Sequence, residues 1–166
     1  FFKKLKLPFS ILWNDGPNLK KIDNELKVKG LAPKEMGKGR NVWYCVGMAL
    51  ARGEADGIAL HDCDIITYDR SLLARLFYPI ANPNFQFEFC KGYYARVADG
   101  KMNGRVSRLL VKPLLLAMEK VLGPSDYINF MKSFRYPLAG EFSFRRSLIP
   151  ELRIPSDWGL EVGILS

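Results

Sequence analysis

The chain has 166 residues, 48% of them hydrophobic and 25% charged, enough for one domain with its own core and too apolar for a disordered chain. No apolar run approaches the roughly 20 residues that cross a bilayer, so no membrane span is expected. The net charge of +8 asks for anionic partners. Nucleic acid, acidic lipid and phosphorylated metabolites all qualify, but the basic residues are scattered, with no basic helix, RNP-type aromatic motif or recognition-helix pattern, so a small anion fits at least as well as a polymer.

The opening "FFKKLKLPF" lacks the continuous apolar stretch and cleavage site of a signal peptide. The chain starts without Met and is read as one domain over residues 1–166, a fragment of something longer. "FSILW" (Phe9 to Trp13) reads as a short strand closed by the turn Asn14-Asp15-Gly16-Pro17. Leu19, Ile22 and Leu26 then recur at helical spacing, with Gly30 as a C-cap. After a polar loop, Val42, Cys45, Val46, Ala49 and Leu50 predict an amphipathic helix. "IALHDCD" reads as a buried strand, "SLLARLFYPI" as a helix up to Pro79, and "FQFEFCKGYYARV" as a long alternating strand.

This order predicts an α/β fold, a mainly parallel sheet flanked by helices, with ligands beyond the carboxyl ends of its strands. Further on, Val106, Leu109 and Leu110 and then Leu114, Ala117, Met118 and Val121 predict two helical pieces, Pro113 opening the second. "SDYINFMKSF" reads as another short helix. "YPLAGEFSFRRSLI" begins as a loop and turns helical near Phe144, and "WGLEVGILS" is strand-like or helical.

Asp62 and Asp64 stand at the end of an apolar strand, where a carboxylate needs a cation, a hydrogen-bonding partner or water. Such a pair can turn toward one hard cation that holds a diphosphate, although a solvated turn has the same pattern. In "GKG", Gly37 and Gly39 let backbone N–H groups approach a phosphate and Lys38 adds a point charge; a flexible loop fits as well. "NGRVS" (Asn103 to Ser107) offers a glycine turn, Arg105, a hydroxyl and helix-start donors, a cradle for phosphate or carboxylate, or else an ordinary cap. Glu141 and Glu161 are lone carboxylates among apolar residues, either buried with partners or functional. Tyr93, Tyr94, Phe87 and Phe89 read as packing. Cys45, Cys63 and Cys90 fit no disulfide framework or zinc site and read as reduced thiols in a cytoplasmic protein. With His61 as the single histidine, zinc and acyl-transfer chemistry are poorly supported.

Taken in order, "GKGRNVW", "HDCD", "KGYYAR", "NGRVS", "YPLAGEFSFRRSLI" and "WGLEVGIL" resemble the glucosyl-3-phosphoglycerate synthase family and its mannosylglycerate-forming relatives. These are retaining glycosyltransferases of the GT-A fold. The resemblance runs from about Phe9 to the end of the chain, and "GRVS" and "LAGEF" carry most of its specificity. It implies metal-dependent transfer of a hexose from a nucleotide sugar (UDP- or GDP-hexose) to a small phosphorylated or carboxylate acceptor.

Carried onto these positions, the resemblance gives Asp62 and Asp64 a divalent metal, magnesium or manganese, on the donor diphosphate. Gly37 and Lys38 line the nucleotide pocket. Gly104, Arg105, Val106 and Ser107 hold a phosphoglycerate-like acceptor. Leu138, Glu141 and Glu161 surround the sugar and the reacting centre. Ser107 stands where Thr is more usual. The family's first strand and its metal-binding His beyond "EVG" have no counterpart among the 166 residues. A homodimer is compatible with this reading. The rival is a non-catalytic GT-A-like domain that binds a nucleotide sugar or an anion.

Overall fold

Phe142-Ser143-Phe144-Arg145 alternates with period two, which in a strand sends the two rings to one face and Ser143 and Arg145 to the other. The computed structural model, which describes residues 4, 6–95, 97, 98, 100–102 and 104–166, makes this stretch the central strand β5 (Phe142–Arg145). It lies between β1 (Gly57–Leu60) and β2 (Phe89–Lys91). Phe142 and Phe144 are fully buried among Val46, Leu115, Met131, Leu160 and Ile164. On the opposite face the buried Ser143 hydroxyl donates to the Leu76 carbonyl (2.6 Å) and Arg145 Nε to that of Ile80 (3.0 Å). Both bonds fasten α3 (Arg70–Ala81) to the sheet.

Helices thus cover a sheet, as the α/β reading expects, but the strand pairing differs from the expected mainly parallel one. Both β1 and β2 pair antiparallel with β5, so they run parallel to each other with a reversed strand between them. Among the described residues a second sheet is the small antiparallel pair β3 (Val97–Ala98) and β4 (Lys101–Met102).

The helices follow the sequence closely. Proline opens α1 (Pro17–Val28), and Gly30, at φ 70°, follows its C-cap Lys29 and donates back to Lys27 (3.1 Å). Asp69 caps α3 through the Ser71 N–H (2.6 Å), and Ser125 caps α5 (Asp126–Ser133) through the Ile128 N–H (3.2 Å). Helix α3 continues past Pro79 to Ala81, because a proline so near the C-terminal end forfeits little of the ladder. The two pieces expected around Pro113 follow one another without a break, a π-helical turn (Ser107–Val111) running into α4 (Lys112–Leu122).

Four expectations are corrected. "FSILW" forms no strand, with Ile11 and Trp13 more than 70% exposed. The long strand through Val97 is interrupted over residues 92–95. "FSFR" is strand rather than the start of a helix, which appears only as a 3-10 segment at Arg146–Glu151. In α4 the core-facing residue is Leu115, while Leu114 and Val121 point outward.

Helix α2 (Lys38–Arg52) starts without a side-chain cap. Its free donors go instead to a distant backbone segment. Gly37 N–H and Arg40 N–H donate to the Ser156 carbonyl (3.1 and 3.0 Å), and Gly39 N–H donates to that of Asp157 (3.1 Å). Only glycine permits so close a contact. A Cβ on Gly39 would lie 1.7 Å from the Pro155 carbonyl oxygen, and one on Gly37 2.6 Å from Asp157 Cα. From the other side, Arg40 and Tyr44 both bond to Asp23 and so tie α2 to α1.

Candidate active site

Leu60 and Lys91 both face Phe142 in register, so β1 and β2 end at the same edge of the sheet, where β5 begins. That edge gathers His61 and Asp62 from beyond β1, Gly92 and Tyr93 from beyond β2, and Gly140 and Glu141 from before β5. Lys38 reaches it from the first position of α2, and Glu161 from α6 (Leu160–Gly163).

Lys38 is the centre of the ion network. Its Nζ donates to Asp62 Oδ1 (2.6 Å) and to Glu161 Oε1 (2.7 Å), joining three half-buried side chains. Partial burial by itself would push the Lys38 ammonium down, but the hydrogen bonds and charges of Asp62 and Glu161 outweigh it and hold the group above the usual lysine value. Gly140 makes room for this arrangement: a Cβ there would stand 2.2 Å from Asp62 Oδ2.

Glu141 is 4% exposed, and neither carboxylate oxygen has a hydrogen-bond partner among the described residues. Both ring nitrogens of His61 are buried and unpaired in the same sense, while its ring meets Tyr68 edge-on at 5.3 Å. Burial pushes the imidazole down against the pull of Glu141 and Asp62. Both residues line a cavity of about 310 Å³ that also takes in Lys91, Tyr93 and Leu72. His61 also borders a second cavity of about 350 Å³, which contains Lys38, Asp62 and Gly140. A buried carboxylate without partners is costly, and it is ready to accept hydrogen bonds from a hydroxylated ligand.

Lys91 was not anticipated as a site residue. Its Nζ donates to the Glu161 carbonyl (2.8 Å) and lies 5.1 Å from the centre of the Phe142 ring. Burial pushes its ammonium down to about 8; Glu161 and Glu141 oppose this and the Lys38 charge assists it. The signal was present in "FEFCK", where Phe87, Phe89 and Lys91 share one parity, so Lys91 falls on an apolar face.

A pH dependence follows from this lysine. Below pH 8 the group is charged both folded and unfolded, and its burial cost is carried in full. Between pH 8 and the unfolded value of 10.5, the unfolded chain keeps a proton that the folded one has shed, so stability rises with pH. Urea unfolding at pH 7.5 and 9.5 is expected to show wild type gaining on the order of 2 kcal/mol relative to Lys91→Met. Equal changes in both proteins would mean that Lys91 is not buried as a charge.

The other expected residues lie apart from the ion network. Asp64 is exposed on the turn after Asp62 and has no ion pair among the described residues. Leu138 is half-buried in the turn that leads to Gly140. Gly104, at φ 92°, precedes a helical start; Arg105 and Val106 are exposed there, and the buried Ser107 Oγ has no partner among the described residues. Asn103 and Arg96, in the motifs "NGRVS" and "KGYYAR", lie outside the described residues. At Gly37, expected to line the nucleotide pocket, the N–H donates to the Ser156 carbonyl, as those of Arg40 and Gly39 do to Ser156 and Asp157. Lys38 contributes to the site through its side chain.

Among the described residues no three His, Cys, Asp or Glu side chains gather as a metal site. Asp62 and Asp64 nevertheless supply hard oxygen donors of the type magnesium and manganese prefer, and Asp62 already bonds a cationic group. This donor set fits a divalent cation that takes its remaining positions from ligand oxygens and water.

No protein-family profile matches the chain. It is 45% identical over 172 residues to the glucosyl-3-phosphoglycerate synthase of Persephonella marina, and 45% identical over 169 residues to that of Methanococcoides burtonii. These alignments take in 99% and 100% of the chain but 42% and 41% of the relatives, so the chain spans about two fifths of their length. In structure it is similar to the Mycobacterium tuberculosis glucosyl-3-phosphoglycerate synthase in complex with Mn2+, UDP-glucose and phosphoglyceric acid. The TM-score is 0.59 at 26% identity, covering 81% of the chain and 41% of the synthase. The complex of the same synthase with Mn2+, UDP and glucosyl-3-phosphoglycerate gives a TM-score of 0.58 at 27% identity, with 81% and 40% covered. Along its whole length the chain is similar to these two glucosyl-3-phosphoglycerate synthases, and its fold is similar to the GT-A arrangement of the Mycobacterium tuberculosis one.

Proposed function

We propose that the chain forms the catalytic edge of a retaining, metal-dependent glycosyltransferase that moves a hexose from a nucleotide sugar to a phosphoglycerate-like acid. The observation that carries this reading is the meeting of Lys38, Asp62 and Glu161 beside the buried Glu141, whose carboxylate has no partner among the described residues. It occurs in a chain 45% identical to glucosyl-3-phosphoglycerate synthases. The relative's complexes with UDP-glucose favour a uridine donor over a guanosine one. Cysteines that are all free suit a cytoplasmic setting.

Asp62 and Asp64 are the carboxylates for the cation. A divalent ion held there neutralises the charge that develops on the leaving diphosphate. Lys38 offers the same diphosphate a point charge from a fixed helix start. Glu141 accepts hydrogen bonds from the sugar hydroxyls, while Leu138 and Glu161 border the reacting centre. Gly104, Arg105, Val106 and Ser107 receive the acid's phosphate or carboxylate. In the same-face route implied by the resemblance, the leaving phosphate takes the acceptor's proton, so no protein nucleophile is needed.

The decisive experiment is a product assay of the full-length protein with UDP-glucose, manganese and 3-phosphoglycerate. Glucosylated acid with the donor's anomeric configuration is expected. Metal-independent binding without product would replace the enzyme with a non-catalytic binding domain. In the same assay Arg105→Lys is expected to raise KM for the acid roughly tenfold or more while leaving donor KM nearly unchanged, because a point charge replaces a bidentate fork. Equal losses for both substrates would place Arg105 elsewhere.

A further inference from the structure

The Lys38 ammonium bonds the same Asp62 carboxylate that is assigned to the metal, 2.6 Å from Oδ1, and Glu161 holds it from the other side at 2.7 Å. We infer that Lys38 is a built-in counter-ion that makes the protein take a divalent cation together with a nucleoside diphosphate, and not alone. The inference rests on the reading of Asp62 as a metal ligand.

A free cation approaching Asp62 meets a positive charge already on that carboxylate, and like charges at such separation are strongly unfavourable in a half-buried site. Eviction leaves Lys38 with Glu161 as its one remaining ion-pair partner among the described residues. Nor can the lysine drift away with its backbone. It occupies the first position of α2, where Gly37, Gly39 and Arg40 are bonded to Ser156 and Asp157. A diphosphate changes the balance, because it brings anionic oxygens to which the ammonium transfers as the cation takes Asp62. Each ligand then strengthens the other by the same factor. The pairing with Glu161 extends the effect to α6, whose carboxylate is freed only when the diphosphate has drawn Lys38 away.

The test is manganese binding, followed by the EPR signal of free Mn2+ and by calorimetry, with and without UDP, at fixed pH and ionic strength. Wild type is expected to bind manganese weakly alone and more tightly with UDP. Lys38→Met is expected to bind manganese alone roughly tenfold tighter, with most of the UDP effect gone. Lys38→Arg keeps the charge and is expected to behave as wild type. Lys38→Gln serves as a second neutral variant, and thermal melts establish that each protein is folded. Folded neutral variants that bind manganese alone no tighter than wild type overturn the inference and leave the metal reading standing. Unchanged manganese binding in Asp62→Asn overturns the metal reading, and the inference with it.

Discussion

Gly39→Ala is expected to lower the unfolding free energy by about 3 kcal/mol, the upper end of what overpacking costs. The sign is opposite to helix propensity, which favours alanine over glycine by ~1 kcal/mol in an open helix. The reason is the 1.7 Å approach of the new Cβ to the Pro155 carbonyl oxygen, a backbone atom that no rotamer can move aside. Relief requires residues 155–157 to lift off, with loss of the bonds from Gly37, Gly39 and Arg40. Gly47, in the same helix, is the internal control, since a Cβ there meets nothing within 4 Å. Gly47→Ala is therefore expected to be stabilising by roughly 0.5–1 kcal/mol. Denaturant titrations of both variants check the pair. If Gly39→Ala proves as stable as Gly47→Ala, the docking of residues 155–157 on α2 is wrong.

Asp62→Asn is expected to weaken manganese-dependent binding of UDP or UDP-glucose by more than about 100-fold, equivalent to ~2.7 kcal/mol, while the fold survives. An amide has no charge to offer a divalent cation, and it leaves Lys38 with Glu161 as its one ion-pair partner among the described residues. Stability should change by less than about 1 kcal/mol, because the Asp62–Lys38 pair is partly open to solvent. Calorimetry with manganese and UDP reads the binding, and a melt without ligand reads the fold. A variant that keeps wild-type affinity removes Asp62 from the metal site.

How much of this could be read in the sequence varied with how local the information was. The helices α1 to α5 announce themselves through period, caps and prolines, all confined to a few residues. Strands depend on partners far along the chain, and there the reading failed in both directions. "FSILW" has strand composition but no neighbour to pair with among the described residues, whereas "FSFR" is buried on both faces between two strands despite its polar Ser143 and Arg145. Antiparallel pairing was equally out of reach, since element order does not reveal a reversed strand inserted between two parallel ones.

At the candidate site, motif and resemblance singled out Lys38, Asp62, Glu141 and Glu161, and the structure brings these four side chains to one edge of the sheet. What stayed hidden was what each group spends its bonds on. "GKG" looks like an anion loop because glycine and free N–H groups serve that purpose. Here the same glycines serve contact with a backbone segment more than a hundred residues away. Lys91 was overlooked because a lysine inside an aromatic strand reads as a solvated end until its neighbours are known.

The clasp between residues 37–40 and 155–161 also has a consequence for biosynthesis. Lys38 and Glu161 are 123 positions apart, an interval that a ribosome working at 5–20 residues per second covers in about 6–25 s. For that time Lys38, joined by Asp62 only 24 residues later, has neither the helix cap nor the second carboxylate that fixes it. The closure entropy of so long a loop further delays their union. An emerging polypeptide therefore acquires its first helices early, while β1 waits for its pairing partner β5, and nucleotide met before residue 161 has left the ribosome would find only half of the charge arrangement. Ribosome-bound chains stalled before and after that point should differ sharply in manganese-dependent UDP retention, with little difference in helix content.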